Sequence, residues 1–378
     1  MKLQLTFNGA QASSDQLIAI LASAGANTSI NINTAQSIPT PALKKIIQAA
    51  GSKNLNLEFN GAQLSGNQGD QIKQALAVAG AATTISINTA QAVQTAVIVS
   101  IIRAAGSKKL HADFDGAQLS GNPGDQLKQA LAAAGANTGI SVNNAQSLVT
   151  SNLVSVVQSA RSKRFSAAFN GSKLSGSPGD QIKQVLLAAG VKTNISVSQA
   201  QAIFTPTLVS VVKTAASKNL NLSFVGSKLS GNSGDQLKQV LAVAGANTRV
   251  SLNSAQSLQL TALISIIQAA GSKKFGADYN GTQLSGSAGG QIKQAVAVAG
   301  INTVISVNTA QIILTQMLIS IIQAARSKTL AFDFNGAQAS ANQLAQATAV
   351  AGANITISVN TAQVQTTASL MALVRAAG

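Results

Sequence analysis

His111, Asp113 and Asp115 occupy alternate positions in the stretch LHADFD, and His111 is the only histidine among 378 residues. Alternate residues of an extended strand project from one face, so this spacing sets an imidazole beside two carboxylates. Two kinds of chemistry use such a group: proton transfer, with the histidine as base beside Asp113, and metal ligation. With no second histidine and no cysteine in the sequence, nothing completes a zinc-type ligand set. Glu58, Asp278 and Asp333 stand where Asp113 stands in related strands, while Asn56 and Ser166 stand where His111 does. His111 and the four carboxylates are therefore expected to belong to a repeated sheet face rather than to a reaction centre.

Other motifs yield to the same reasoning. The loops SGNQGD, SGNPGD, SGSPGD and SGNSGD resemble phosphate cradles or calcium loops. They lack the lysine and serine of a phosphate-binding loop and supply one carboxylate each, Asp70, Asp125, Asp180 and Asp235. Helix capping and a tight turn account for them. Cations gather at Lys53, Lys108, Lys109, Lys163, Arg164, Lys218, Lys273, Lys274 and Lys328, each just before a predicted strand, with Arg103, Arg161, Arg326 and Arg375 nearby. Equivalent loops of a repeat protein share one edge, so these residues are expected to form a basic rim. Lys73, Lys128, Lys183, Lys238 and Lys293 make a second row on helices. Cations at helix C-termini interact favourably with the helix dipole, and a basic track also suits nucleic acid or an anionic membrane. No aromatic residues interleave with the rim to stack on bases.

The elements that carry these residues repeat along the chain. FNGAQ at Phe7 and Phe59 recurs as FDGAQ at Phe114, FNGSK at Phe169, FVGSK at Phe224, YNGTQ at Tyr279 and FNGAQ at Phe334, spaced by 52 residues once and 55 five times. A second marker of the NTAQ type ends at Gln36, Gln91, Gln146, Gln201, Gln256, Gln311 and Gln363. Seven repeats follow, 1–52, 53–107, 108–162, 163–217, 218–272, 273–327 and 328–378, each in two halves. In LNLEFN, Leu55, Leu57 and Phe59 alternate with polar residues, the period of a strand with one covered face. GDQIKQALAVAG then sets Ile72, Ala75, Leu76 and Ala79 on one helical stripe. Gly25, Gly80, Gly135, Gly190, Gly245, Gly300 and Gly352 close these helices and are expected in the left-handed conformation. TISIN and VQTAVIVSIIRAAG repeat the scheme. The fold class expected is an α/β repeat solenoid, horseshoe or ring, of about fourteen strand–helix units, with a curved parallel sheet and helices on the outer face.

In the order strand, Asn-rich turn, glycine-containing loop and Ala/Leu helix, the units resemble the leucine-rich repeat family in its α/β horseshoe, ribonuclease-inhibitor-like branch. Gln63, Gln91, Gln118 and Gln146 stand where that family has its ladder asparagine. The resemblance implies a non-catalytic scaffold that recognises proteins on its concave sheet.

Composition agrees with a repeat protein: 46% hydrophobic, 10% charged and 3% aromatic residues, with a net charge of +16 that favours an acidic partner. Neither a secretory signal nor a membrane-spanning apolar run is present, which suits a cytoplasmic protein or one exported without a cleavable signal. The first strand, KLQLTF, and the last helix, LMALVRAAG, read as interior pieces without polar caps, and the first and seventh repeats share a shortened loop. The ends are thus expected to close a ring or to join molecules head to tail. The function expected is protein–protein recognition. Self-assembly through the ends comes second, and binding of nucleic acid or anionic membrane by the rim third. No enzyme activity, cofactor, metal or small-molecule substrate is expected.

Overall fold

A computed structural model describes residues 1–64, 69–119, 123–174, 178–229, 234–284, 288–325 and 327–378. Arg326 and most of each SG-rich loop lie outside them. Among the described residues fourteen strands alternate with fourteen α-helices, and short 3-10 turns follow eleven of the strands. The strands are β1 (Lys2–Asn8), β2 (Thr28–Asn33), β3 (Asn54–Asn60), β4 (Thr83–Asn88), β5 (Lys109–Asp115), β6 (Thr138–Asn143) and β7 (Arg164–Asn170). They continue as β8 (Thr193–Ser198), β9 (Asn219–Val225), β10 (Thr248–Asn253), β11 (Lys274–Asn280), β12 (Thr303–Asn308), β13 (Thr329–Asn335) and β14 (Ile355–Asn360).

Alternation in sequence becomes alternation in burial. In β3, Leu55, Leu57 and Phe59 are fully buried while Asn56, Glu58 and Asn60 are half-exposed. The covering layer comes from helices such as Asp70–Val78, which buries Ile72, Ala75 and Leu76, and Thr95–Ala105, which buries Ile98, Ile101, Ile102 and Ala105. Burial of each isoleucine or leucine among them contributes about 1.5–3 kcal/mol. The opposite sheet face is left to small polar groups and the carboxylates.

The hydrogen-bonded strand order, β1-β14-β13-β12-β11-β10-β9-β8-β7-β6-β5-β4-β3-β2, returns to its start, so the parallel sheet is a closed barrel. The open horseshoe or solenoid expected from sequence is corrected on this point. The chain clusters into two compact units. One comprises Leu3–Ala168, Ala188–Asn194 and Thr361–Gly378. The other comprises Met1–Lys2, Phe169–Leu187 and Ile195–Asn360.

Within the first unit the two ends of the chain satisfy each other. Asn8 N donates to Gln363 Oε1 at 3.1 Å, as Asn60 N donates to Gln36 Oε1 at 3.1 Å inside the array. Gln16 Nε2 donates to Gln365 O at 3.0 Å, matching Gln71 Nε2 to Ile38 O at 2.7 Å. Gln363 Nε2 donates to Gln11 Oε1 at 2.9 Å, matching Gln36 Nε2 to Gln63 Oε1 at 2.8 Å. The shortened loops start their helices through Ser13 and Ser340, whose hydroxyls accept from Gln16 N and Gln343 N at 3.1 Å. Head-to-tail joining of molecules is corrected by the same contacts, because the groups it would use already pair within one chain.

The glycines that close the first-half helices also behave differently from expectation. Positive φ falls instead at Gly51, Gly106, Gly271 and Gly378, at the ends of second-half helices. Gly80 is required by close approach: a Cβ there would stand 2.6 Å from Gly51 O. The same reason applies at Gly25, where a Cβ would meet Gly378 C at 2.6 Å.

In the second unit, β9 through β13 repeat the pattern, with Phe224, Phe275, Phe332 and Phe334 fully buried. Tyr279 takes the place of a phenylalanine there, and its hydroxyl is buried with no hydrogen-bond partner among the described residues.

Candidate functional site

The basic rim divides into two sets with different roles. Lys108, Lys273 and Lys328 donate through Nζ to Ala79 O, Ala244 O and Ala299 O at 2.5, 2.6 and 2.5 Å. Lys53 and Lys163 do the same to Ala24 O and Ala134 O. These ammonium groups neutralise carbonyls at helix C-termini, where the dipole is negative. Of the two roles considered for the rim from sequence, these contacts are those of cations meeting helix C-termini. Lys109, Arg164 and Lys274 are instead the exposed first residues of strands, on the polar sheet face that carries the carboxylates.

On that face the sheet register sets each carboxylate opposite a serine: Glu58 with Ser86, Asp113 with Ser141, Asp278 with Ser306 and Asp333 with Ser358. Ser141 Oγ donates to Asp113 Oδ1 and Ser306 Oγ to Asp278 Oδ1. Burial pushes the carboxyls of Glu58, Asp278 and Asp333 above their ordinary values. The charge of Asp113 adds to the rise at Glu58, and that of Asp278 at Asp333. Asp113 goes the other way. Burial raises it too, but the hydrogen bond and positive charge of His111, with the Ser141 hydroxyl, outweigh burial and hold it below the ordinary value.

His111 Nε2 lies 3.0 Å from Asp113 Oδ1, with the two side chains 38% and 24% exposed. Asp115 is separate from this pair. Its Oδ1 accepts from Ala117 N at 3.0 Å and Asn144 Nδ2 at 2.9 Å, the turn-closing role that Asn60 has toward Ala62 N.

The imidazole borders a cavity of about 440 Å³ whose lining includes Lys109, Arg164, Lys192, Thr84, Ser86 and Ser166, all in the first unit. Gly139, the register partner of His111, also lines it. A Cβ on Gly139 would stand 3.0 Å from His111 Cε1 and closer still to Nδ1. The space that the ring fills exists because this residue has no side chain. Aligned strands have Ser29, Thr84, Asn194, Arg249, Val304 and Thr356 at this position. The only histidine thus faces the only glycine of its row, a signal that aligning the repeats would reveal. Sequence reasoning missed Gly139 and Lys192, and it left Lys109 and Arg164 on a helix-edge rim.

Serine, histidine and aspartate here do not form a nucleophilic triad. In a triad the histidine bridges serine and aspartate, whereas here Asp113 is central and accepts from both. The arrangement offers a carboxylate-oriented imidazole beside three cations, suited to proton transfer on an anionic molecule. Among the described residues no group of three or more His, Cys, Asp or Glu side chains could hold a metal ion. No described helix is long and apolar enough to cross a membrane.

No family model and no curated protein sequence matches the chain. Similar solved structures include the leucine-rich repeat-containing protein LegL7 from Legionella pneumophila, at 13% identity and a TM-score of 0.46 over 84% of this chain and 97% of that one. They also include 2,3-dimethylmalate lyase, a PEP mutase/isocitrate lyase superfamily member, at 12% identity and a TM-score of 0.29 over 57% and 82%. A third is orotidine 5'-monophosphate decarboxylase from Methanocaldococcus jannaschii, at 14% identity and a TM-score of 0.26 over 52% and 87%. These likenesses concern the order of strands and helices and carry nothing about activity. The expectation of a non-catalytic protein-recognition scaffold without a small-molecule substrate rested mainly on resemblance to an open horseshoe. With a closed parallel barrel in its place, that ground is lost and the expectation is corrected.

Proposed function

We propose that the cavity beside His111 binds a small anionic molecule and that His111, oriented by Asp113, exchanges a proton with it. The observation that carries this reading is the 3.0 Å His111–Asp113 contact on a cavity that Lys109, Arg164 and Lys192 also line. Three cations within one lining supply the attraction for a carboxylate or phosphate group. The imidazole supplies a ring nitrogen that can take up or release a proton.

The cavity opens near the N-terminal ends of its strands: Lys109 and Arg164 begin β5 and β7, and Lys192 precedes β8. Eight-stranded α/β barrel enzymes carry their sites at the opposite, C-terminal ends. The reading therefore rests on the residues of this site and not on analogy with such barrels.

Because the chain has one histidine, its imidazole signals are unambiguous in a proton NMR spectrum. A panel of small carboxylates and phosphate esters at low ionic strength is expected to contain members that shift the His111 signals. The Lys109→Gln, Arg164→Gln double variant is expected to weaken those members at least tenfold, about 1.4 kcal/mol. A panel that leaves His111 unmoved at millimolar concentrations refutes the reading.

A further inference from the structure

The geometry also selects which nitrogen of His111 does the chemistry, an inference that rests on the reading above and deepens it. An ionised carboxylate only accepts hydrogen bonds. With Asp113 Oδ1 3.0 Å from Nε2, the neutral ring keeps its proton on Nε2 and its lone pair on Nδ1. Nδ1 is the atom that a side chain on residue 139 would strike first. Every other residue found at that position in the aligned strands carries a Cβ, which here would displace the ring.

We propose that Asp113 and Gly139 are positioning residues that hold His111 as the Nε2–H tautomer, and that Nδ1 is the base toward the anionic ligand. In this step an acidic C–H or O–H bond of the ligand breaks, its electron pair stays on the ligand, and Nδ1 gains the proton. The resulting imidazolium faces the Asp113 carboxylate, and the added negative charge on the ligand faces the cations of the cavity. Ser141 takes no part, since its hydroxyl is committed to Asp113 just as that of Ser306 is to Asp278, where no histidine exists. The charged groups around the ring are Lys109 and Asp113 on its own strand, Arg164 on β7 and Lys192 before β8, with Asp113 in turn acting on Glu58 of β3.

The test uses the full chain labelled with nitrogen-15 and a two-bond proton–nitrogen correlation spectrum of its one imidazole. At a pH where the ring is neutral, the spectrum is expected to show a protonated Nε2 and an unprotonated Nδ1. The Asp113→Ala and Gly139→Ala variants are expected to mix the tautomers, and Ser141→Ala to leave them unchanged. Titration with inorganic phosphate as probe is expected to move Nδ1 more than Nε2, with at least tenfold weaker binding in Gly139→Ala and less than twofold change in Ser141→Ala. A protonated Nδ1 in the wild-type chain, or a tautomer that depends on Ser141 and not on Asp113, overturns the inference while leaving anion binding to stand or fall separately. Failure of phosphate and of every anion in the panel to bind overturns the underlying reading even where the tautomer is as expected.

Discussion

Replacing Gly139 by alanine probes the site with one methyl group. The new Cβ would lie 3.0 Å from His111 Cε1, against the ~3.5–4.0 Å of ordinary carbon contacts. The ring must therefore retreat by about 0.5–1 Å, a displacement as large as the margin between the 3.0 Å contact of Nε2 with Asp113 and the ~3.5 Å at which that hydrogen bond is lost. Relief is cheap because the His111 side chain is partly exposed and can rotate. Loss of a half-exposed ion pair costs up to about 1 kcal/mol. Alanine in place of glycine within a strand returns about 0.5–1 kcal/mol. Global stability is thus expected to change by less than about 1 kcal/mol. The Asp113 carboxyl, in contrast, loses the partner that held it down and keeps the burial that pushes it up. It should then titrate above the ordinary carboxylate value, as Asp278 and Asp333 do with a serine partner and no histidine. Carbon-13 NMR titration of the side-chain carboxyls, with thermal melts alongside, measures both quantities. An Asp113 that still titrates low in the variant, or a loss of more than about 3 kcal/mol of stability, would refute the account of Gly139 as room for the ring.

Four further predictions concern the frame and the carboxylates of the sheet face. Tyr279→Phe removes a buried hydroxyl without a partner and is expected to stabilise the protein by about 1 kcal/mol in urea denaturation; a loss of stability would reveal a bond that the hydroxyl makes. Ala216 stands at φ 40°, where aligned helices end in Gly51, Gly106 and Gly271, so Ala216→Gly is expected to add about 0.5–1 kcal/mol and raise Tm. Asp278 and Asp333 have raised pKa values in the folded state, so folding binds protons that the unfolded chain has already released, and stability falls as pH rises from the ordinary carboxylate range through their folded values. Asp278→Asn is expected to flatten that decline. For Asp113, whose folded value is depressed, the stabilisation is present above its unfolded value and is lost as pH falls through the folded one, so Asp113→Asn should remove an acid-side loss. Urea melts across that pH range separate the two signs.

Local structure was legible because each repeat states it again. Leu55, Leu57 and Phe59 declare a covered face by period, and seven copies average out the ambiguity of any one strand. Closure of the sheet was not legible from period, since the same strand–helix unit stacks into an open or a closed array. What closes it is pairing between particular groups, such as Asn8 N with Gln363 Oε1, which sequence distance conceals. The helix-closing glycines show a related limit. Glycine at a helix end usually signals a left-handed cap, yet Gly25 and Gly80 are selected by the backbone of a neighbouring helix end, a tertiary constraint that only coordinates express.

The candidate site was half legible: its imidazole and carboxylate could be placed on one face, while its glycine was not singled out. Alternation alone placed His111 and Asp113 on one face, and comparison with Asn56 and Ser166 argued that the position has no constant role. That comparison tests only whether a feature is repeated, while a site added to a repeat protein must be unrepeated. The informative comparison runs across the sheet: where one strand gains a histidine, its neighbour loses its side chain at the partner position, Gly139. Two departures from the repeat lie in register on adjacent strands, and they are sterically matched, since a Cβ at position 139 would overlap the ring. The lysine pairs obey the same logic. In SKK, one lysine points back to a helix carbonyl and the next begins the strand, so Lys108 belongs to the frame and Lys109 to the cavity. In an array built from identical parts, function is best sought where neighbouring parts deviate together.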